Sequence, residues 1–205
     1  MRTNRFSFNR RVFVAGSLSI AAIGLPGLAL ALTEDQAKAH VEKTLNDLRA
    51  LLRQPGTGAS RAPQLQSIMQ ERANLPLLAR FSAGRAWREM SKGQQSEFVE
   101  AFSRYVSVTY SRRFDEYSGD PDISVGRAVD AGRKGILVES PIAVPDGEPI
   151  VVEWLVSDRG GRIEVVDLVI EGISMAATQR EEINAMLDKR NGDVDALIAH
   201  LKSSP

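Results

Sequence analysis

The chain has 205 residues, with 26 basic and 26 acidic side chains and no cysteine. The missing cysteine excludes disulfides, thiolate metal sites, thiol catalysis and a lipid-modified cysteine anchor. The balanced charge turns mildly acidic once a basic leader is set aside, which excludes the strongly basic field of a nucleic-acid binder.

That leader comes first. MRTNRFSFNRR carries four arginines and no acid, VFVAGSLSIAAIGL follows, and Pro26 and Ala29-Leu30-Ala31 close the segment. A basic start, an apolar middle and a small-x-small end mark a removable secretory signal, assigned to residues 1–31. The rival is an uncleaved anchor, because the run from Val12 to Leu32 approaches the roughly 20 residues a membrane span needs. Pro26 and the Ala-x-Ala favour cleavage. Asn9-Arg10-Arg11-Val12-Phe13-Val14 partly matches a twin-arginine signal, so both export routes stay open. Removal takes four arginines and no acid, leaving 22 basic and 26 acidic residues in a length that supports one core without covalent staples.

A helix is expected over about 33–53, where Val41, Leu45, Leu48 and Leu52 share one face and Thr33 with Gln36 has capping-box spacing. QPGTGASRAP, residues 54–63, is too rich in Pro, Gly and Ser to continue it and is expected as an exposed loop. Short helical pieces follow at 64–71 and 75–87. The strongest periodic signal comes next. Ser91 and Gln94 fit a second capping box, and Phe98, Phe102, Tyr105, Val106, Thr109, Tyr110 and Phe114 fall on one face of a single long helix.

After Gly119 and Pro121 the period becomes that of sheet. Segments 123–129, 134–140, 149–157 and 162–171 read as four strands parted by Asp-Ala-Gly, Pro-Asp-Gly and Asp-Arg-Gly-Gly turns. Connections this short favour an antiparallel meander. Helices at 178–190 and 194–202 close the chain, the first stopped by Asn191-Gly192. The order is that of an α+β fold in one domain, residues 32–205: a four-stranded antiparallel meander packed against N- and C-terminal helices.

Catalytic groups are sparse. His40 and His200 have no partner at ligand spacing and read as ordinary helical side chains. No H-E-x-x-H, G-x-S-x-G, Walker-type or G-x-G-x-x-G pattern is present. Asp167 and Glu171, four apart on a strand, would stand about 13 Å apart. Paired acids and bases of glycosidases sit at about 5 to 10 Å. Glu171-Gly172-Ile173-Ser174 offers a hydroxyl and an acid but no histidine to take the proton. It reads better as a strand exit at Gly172, with Ser174 capping the next helix. Apolar surface is the richer resource. Besides the aromatic helix face, Ile150, Val152, Trp154 and Val156 share one strand phase, and Val166, Leu168 and Ile170 share one phase of the last strand. Two such layers either close on each other or part to admit an apolar ligand, and the pattern alone leaves both open.

Residues 75–110, LPLLARFSAGRAWREMSKGQQSEFVEAFSRYVSVTY, followed by VVDLVIEGISMAATQREEI, resemble the MlaC family of toluene-tolerance or ABC-transporter auxiliary proteins. The matching features are Ala79-Arg80-Phe81, Gly84-Arg85 with Trp87-Arg88, Glu97-Phe98 with Phe102, Thr109-Tyr110, Val166-Asp167, Glu171-Gly172-Ile173-Ser174 and Arg180. The family often has an acid near Asn74 and aromatics at Ala86, Ile163 and Val166, so the expected pocket is reshaped here. The resemblance implies a periplasmic carrier shuttling glycerophospholipid between an outer-membrane lipoprotein/porin complex and an inner-membrane ABC transporter, with transient membrane contact. It implies acyl chains in an apolar cleft between sheet and helices, and no cofactor, metal, nucleic acid or catalytic residue. Hopanoid-associated proteins of the same family are a close variant.

The lining expected from the resemblance combines Phe81, Phe98, Phe102, Tyr105, Val106 and Tyr110 with the strand residues Ile136, Val138, Val152, Trp154, Val166, Leu168 and Ile170. Arg80, Arg85 and Arg88 are the expected head-group contacts, and Arg180 the expected tie to Asp167 or Glu171. Two rivals remain: a small cone-like α+β enzyme with Asp167 or Glu171 as general base, and an exported interaction protein with a closed core.

Overall fold

The computed structural model describes residues 31–115, 123–142 and 150–204. The expected signal up to residue 30, the Gly119 and Pro121 break, the Pro145-Asp146-Gly147 turn and Pro149 lie outside the described residues.

Capping chemistry sets the helix starts. Thr33 Oγ1 accepts from the Gln36 backbone at 3.2 Å while Gln36 Oε1 accepts from the Thr33 backbone at 3.0 Å, opening α1, Glu34–Leu52. The stretch expected as a loop is instead largely helix: α2 is Gly58–Arg72. Thr57 and Ser60 form a reciprocal capping box with Ser in the usual Glu or Gln place, and Pro63 forgoes one backbone donor inside the helix. The piece expected over 75–87 divides into α3, Leu75–Ala83, and α4, Ala86–Glu89, at Gly84, whose φ is +56°. The Ser91 and Gln94 box opens α5, Lys92–Phe114, as expected.

Every paired strand neighbour is antiparallel, and the order follows the chain: β1 Ala128–Asp130, β2 Ile136–Ile142, β3 Ile150–Ser157, β4 Glu164–Ile170 and β5 Ile173–Ser174. Among the described residues the expected meander is present with five strands rather than four. The first expected strand shrinks: Ile123 makes an isolated bridge to Ile142, and β1 spans three residues. The added β5 follows from the turn Glu171-Gly172. Ile170 pairs with Ile173, so two residues with φ of +50° and +81° close the hairpin, as a primed two-residue turn requires. Ser174 then caps α6, Met175–Asp188, by accepting from the Ala177 backbone at 3.1 Å. Finally α7 is Val194–Ser203, capped by Asp193.

The helices and the sheet bury separate apolar clusters. One joins α3, α5, α6 and α7 through residues such as Leu75, Phe98, Phe102, Val106, Ile183 and Leu201. The other lies between α1 and the sheet, with Val41 and Leu45 against Val138, Trp154, Val156 and Val165. Phe98 stacks on Phe102 at 6.1 Å between ring centroids, and Trp87 meets Phe98 edge-on at 6.4 Å. Polar ties hold the elements in place. Buried Arg72 pairs with Asp47 of α1 at 2.7 Å, and its carbonyl meets His40 Nε2 at 2.9 Å, a structural use for that histidine. The Tyr105 hydroxyl donates to Glu182 at 2.7 Å, joining α5 to α6.

Gly58 begins α2 against the end of α5, where a Cβ would stand 2.3 Å from the Ser111 carbonyl oxygen and 2.8 Å from Arg112 Cα. Alanine gains at most about 1 kcal/mol of helix propensity, whereas forcing a methyl into packed backbone costs about 1–3 kcal/mol. Gly58→Ala is therefore expected to lower stability in denaturant titration, while Gly93→Ala, which meets only the Ser91 hydroxyl at 3.9 Å, is not.

Burial, then the Glu182 carboxylate beside it, pushes Tyr105 from an ordinary value near 10.0 up to about 12. The folded protein holds this proton more tightly than the unfolded chain. Stability from this group is therefore full below pH 10 and is lost between pH 10 and about 12. Thermal melts across that window should show a shallower alkaline decline in Tyr105→Phe than in the parent protein.

Candidate functional site

The inward face of the sheet is built in cross-strand rows. Val138 pairs with Trp154 and Trp154 with Leu168, while Ser140 pairs with Val152 and Val152 with Ile170. Val138, Val152 and Trp154 are buried, but Leu168 and Ile170 are only half-buried, so cover thins toward the end of β4. Among the described residues, two polar atoms sealed on this face have no hydrogen-bond partner, Ser140 Oγ and Trp154 Nε1. The register between β3 and β4 shifts at Leu155 and Val156, where Val156 faces Val165 rather than Val166. This bulge breaks the two-residue period. Val165, 5% exposed, joins the apolar cluster in the row of Ile136 and Val156, and the expected alignment of Val166 with Leu168 and Ile170 does not hold.

Eleven of the thirteen apolar residues expected around one cleft are thus distributed over two clusters, and Val166 is in neither. Phe98, Phe102, Tyr105 and Val106 lie inside the helical core, with Tyr110 packed at its edge. Ile136, Val138, Val152 and Trp154 lie in the sheet core, with Leu168 and Ile170 packed against it. Phe81 belongs to neither, standing exposed on α3. The face of α5 packs on α2, α3 and α7, while α1 covers β1 to β3 and α3 and α6 meet β4. Half-buried Tyr110, at the edge of the helical cluster, lies near the Asp167 carboxylate, and burial, the main cause, raises its pKa.

Asp167 has a structural role that the sequence did not disclose. Its Oδ2 accepts from the Ser174 hydroxyl at 2.6 Å, and its Oδ1 accepts from the Leu168 and Ala176 backbones at 2.8 and 2.9 Å. The carboxylate therefore fastens β4 to the N-terminal turn of α6, where the helix end favours negative charge. Arg180 is not its partner: its guanidinium lies 5.1 Å over the Phe81 ring. Glu171 is exposed in the hairpin turn. The two carboxylates offered for general-base chemistry are therefore a helix tether and a turn residue. Asn74, where the family often has an acid, caps α3 and donates to Glu164 at 2.7 Å. Among the described residues no cluster of three metal-ligating side chains occurs, and no helix is long and apolar enough to cross a membrane.

The three expected head-group arginines do come together, but away from the sheet. Arg80, Arg85 and Arg88 join Arg180, Leu77, Phe81 and Gly84 around an open groove of about 380 Å³ built by α3, α4 and α6. Sequence reasoning missed Leu77 and the place of Arg180. The i, i+4 spacing of Leu77 and Phe81 was the signal for the first.

The solved structure of a phospholipid-binding protein from Ralstonia solanacearum, in complex with a phospholipid, is similar in fold: TM-score 0.65 at 20% identity, covering 80% of this chain and 94% of that one. Residues 38–203 match the family described as MlaC protein. With all of α5, the whole sheet and both closing helices inside the matched region, the chain belongs to the MlaC family.

Proposed function

We propose that the chain is an exported lipid carrier: its N-terminal 31 residues direct it to the periplasm and are removed, and residues 32–205 hold phospholipid as a single domain. The observation that carries this reading is the inward sheet face, whose apolar rows continue past the closed core to half-buried Leu168 and Ile170 while the helices have a separate core of their own. Membership of the MlaC family supports it, as does the likeness to a fold that is known with phospholipid bound.

The physics of the task fits a site without reactive groups. A lipid with two chains of roughly fifteen carbons is held in its bilayer by on the order of 20 kcal/mol, at about 0.8 kcal/mol per buried CH₂. A carrier must match that with apolar burial, and a phosphate left in water costs nothing to desolvate. Transfer then runs between an inner-membrane ABC transporter and an outer-membrane complex, and its direction comes from ATP hydrolysis because binding alone sets no gradient. The separation of Asp167 and Glu171 into structural positions supports a carrier over an enzyme.

Solvent extraction of the purified protein, followed by mass spectrometry, should release glycerophospholipid; a hopanoid mass would redirect the cargo, and no lipid at all would remove the carrier reading. Leu168→Glu places a charge in the proposed path of the acyl chains and should cut bound lipid at least about tenfold. Leu168 is half-buried, so circular dichroism should confirm that this variant is folded. Undiminished loading in the folded variant would show that this end of β4 does not face the cargo.

A further inference from the structure

The groove between α3, α4 and α6 has a composition that cargo binding leaves unused. Arg80, Arg85, Arg88 and Arg180 line it with no acid among them, together with Leu77 and Phe81. These two apolar side chains are 46% and 42% exposed and stand four residues apart on one face of α3. Glu89 pairs with Arg85 at 3.3 Å, but both side chains are largely exposed, so that pair exchanges readily for another anion. In a chain of balanced charge this is a local concentration of cations.

Guanidinium groups alone would satisfy a dissolved anion and would leave Leu77 and Phe81 in water. The surface of an anionic bilayer takes both kinds of group: its phosphates accept from the arginines, and an exposed Leu and Phe reach the acyl boundary beneath them. We propose that this groove is a docking face for a negatively charged, phosphate-rich bilayer surface. The proposal rests on the carrier reading and deepens it by stating where the carrier meets a membrane. It assigns the arginines to head groups of the bilayer rather than of the cargo, because among the described residues none of the sheet lines the groove.

The test is co-sedimentation of the purified protein with vesicles of phosphatidylcholine alone and of phosphatidylcholine mixed with phosphatidylglycerol, at low and at raised salt. Binding to the mixed vesicles only, weakened by salt, is the expected result. The Arg85→Gln/Arg88→Gln variant, whose changes lie on exposed side chains, should bind about 25-fold less, at about fivefold per arginine. Leu77→Ser should also weaken binding. Equal binding to both vesicle types, binding to neither, undiminished binding by the double variant, or full displacement by millimolar inorganic phosphate would each overturn the proposal. Lipid extracted from the same samples keeps the two readings apart. Cargo retained by a double variant that has lost vesicle binding supports the docking face, and cargo lost with it reassigns the arginines to the cargo. Absence of cargo from the parent protein removes the carrier reading and leaves the vesicle result to decide the docking face.

Discussion

The Asp167 carboxylate carries a disproportionate share of this architecture. It sits on the strand where the sheet meets the helices, and its two oxygens accept three hydrogen bonds from the chain that turns out of β4 into α6. Charge-assisted bonds of this kind are roughly twice as strong as neutral ones, and a helix N-terminus adds to them. What they fix is an angle. The two-residue turn at Glu171-Gly172 brings the chain straight back beside β4, and the Ser174 hydroxyl, held by Asp167, is also the cap of α6. From α6 the constraint passes to α5 through Glu182, which accepts from Tyr105 and from Gln179. Sheet and helical layer are thus linked by polar bonds at one edge, while each keeps an apolar core of its own.

That division of cores has a mechanical consequence. A single core shared between sheet and helices would resist parting, because pulling its two sides apart exposes apolar area at about 25 cal/mol per Å². Two cores allow the space between the layers to change with less loss of burial inside either one. The unpaired Ser140 Oγ and Trp154 Nε1 lie on the inward sheet face, which α1 covers. A sealed polar atom without a partner typically costs about 1–3 kcal/mol, so each of the two is a local weak point of that core.

The sequence disclosed these features unevenly, for identifiable reasons. Caps at Thr33 and Ser91 were legible because side chain and backbone signals coincide within four residues, and the apolar period of α5 was legible over its whole length. The cap at Thr57 was hidden by the density of Gly and Pro around it, although Gly58 is there for a reason of packing rather than flexibility. The meander was legible from its short turns. The bulge at Val165 and Val166 was not, since a period of two extrapolated along a strand cannot show where an extra residue enters. The largest gap concerned partners. Periodicity marks Phe98 and Phe102 as buried without saying against what, and their neighbours turned out to be helices. The arginines were singled out through family resemblance, and their common groove depends on the bend at Gly84.

For a carrier, weak points of this kind are useful in proportion. Cargo must leave as readily as it enters, so its burial in the protein has to balance its burial in a bilayer, and each surplus of about 1.4 kcal/mol slows release by about tenfold. A deep, fully closed pocket with charged anchors would shift that balance toward retention. In the carrier proposed above, the apolar sheet face whose cover thins at Leu168 and Ile170, with the nearby carboxylate already committed to a helix end, is the part assigned to hold acyl chains, by area alone. Area can be given up gradually as the chains slide out, methylene by methylene, whereas an ion pair breaks in one costly step. On the carrier reading, the absence of chemistry along β4 keeps the exit path smooth.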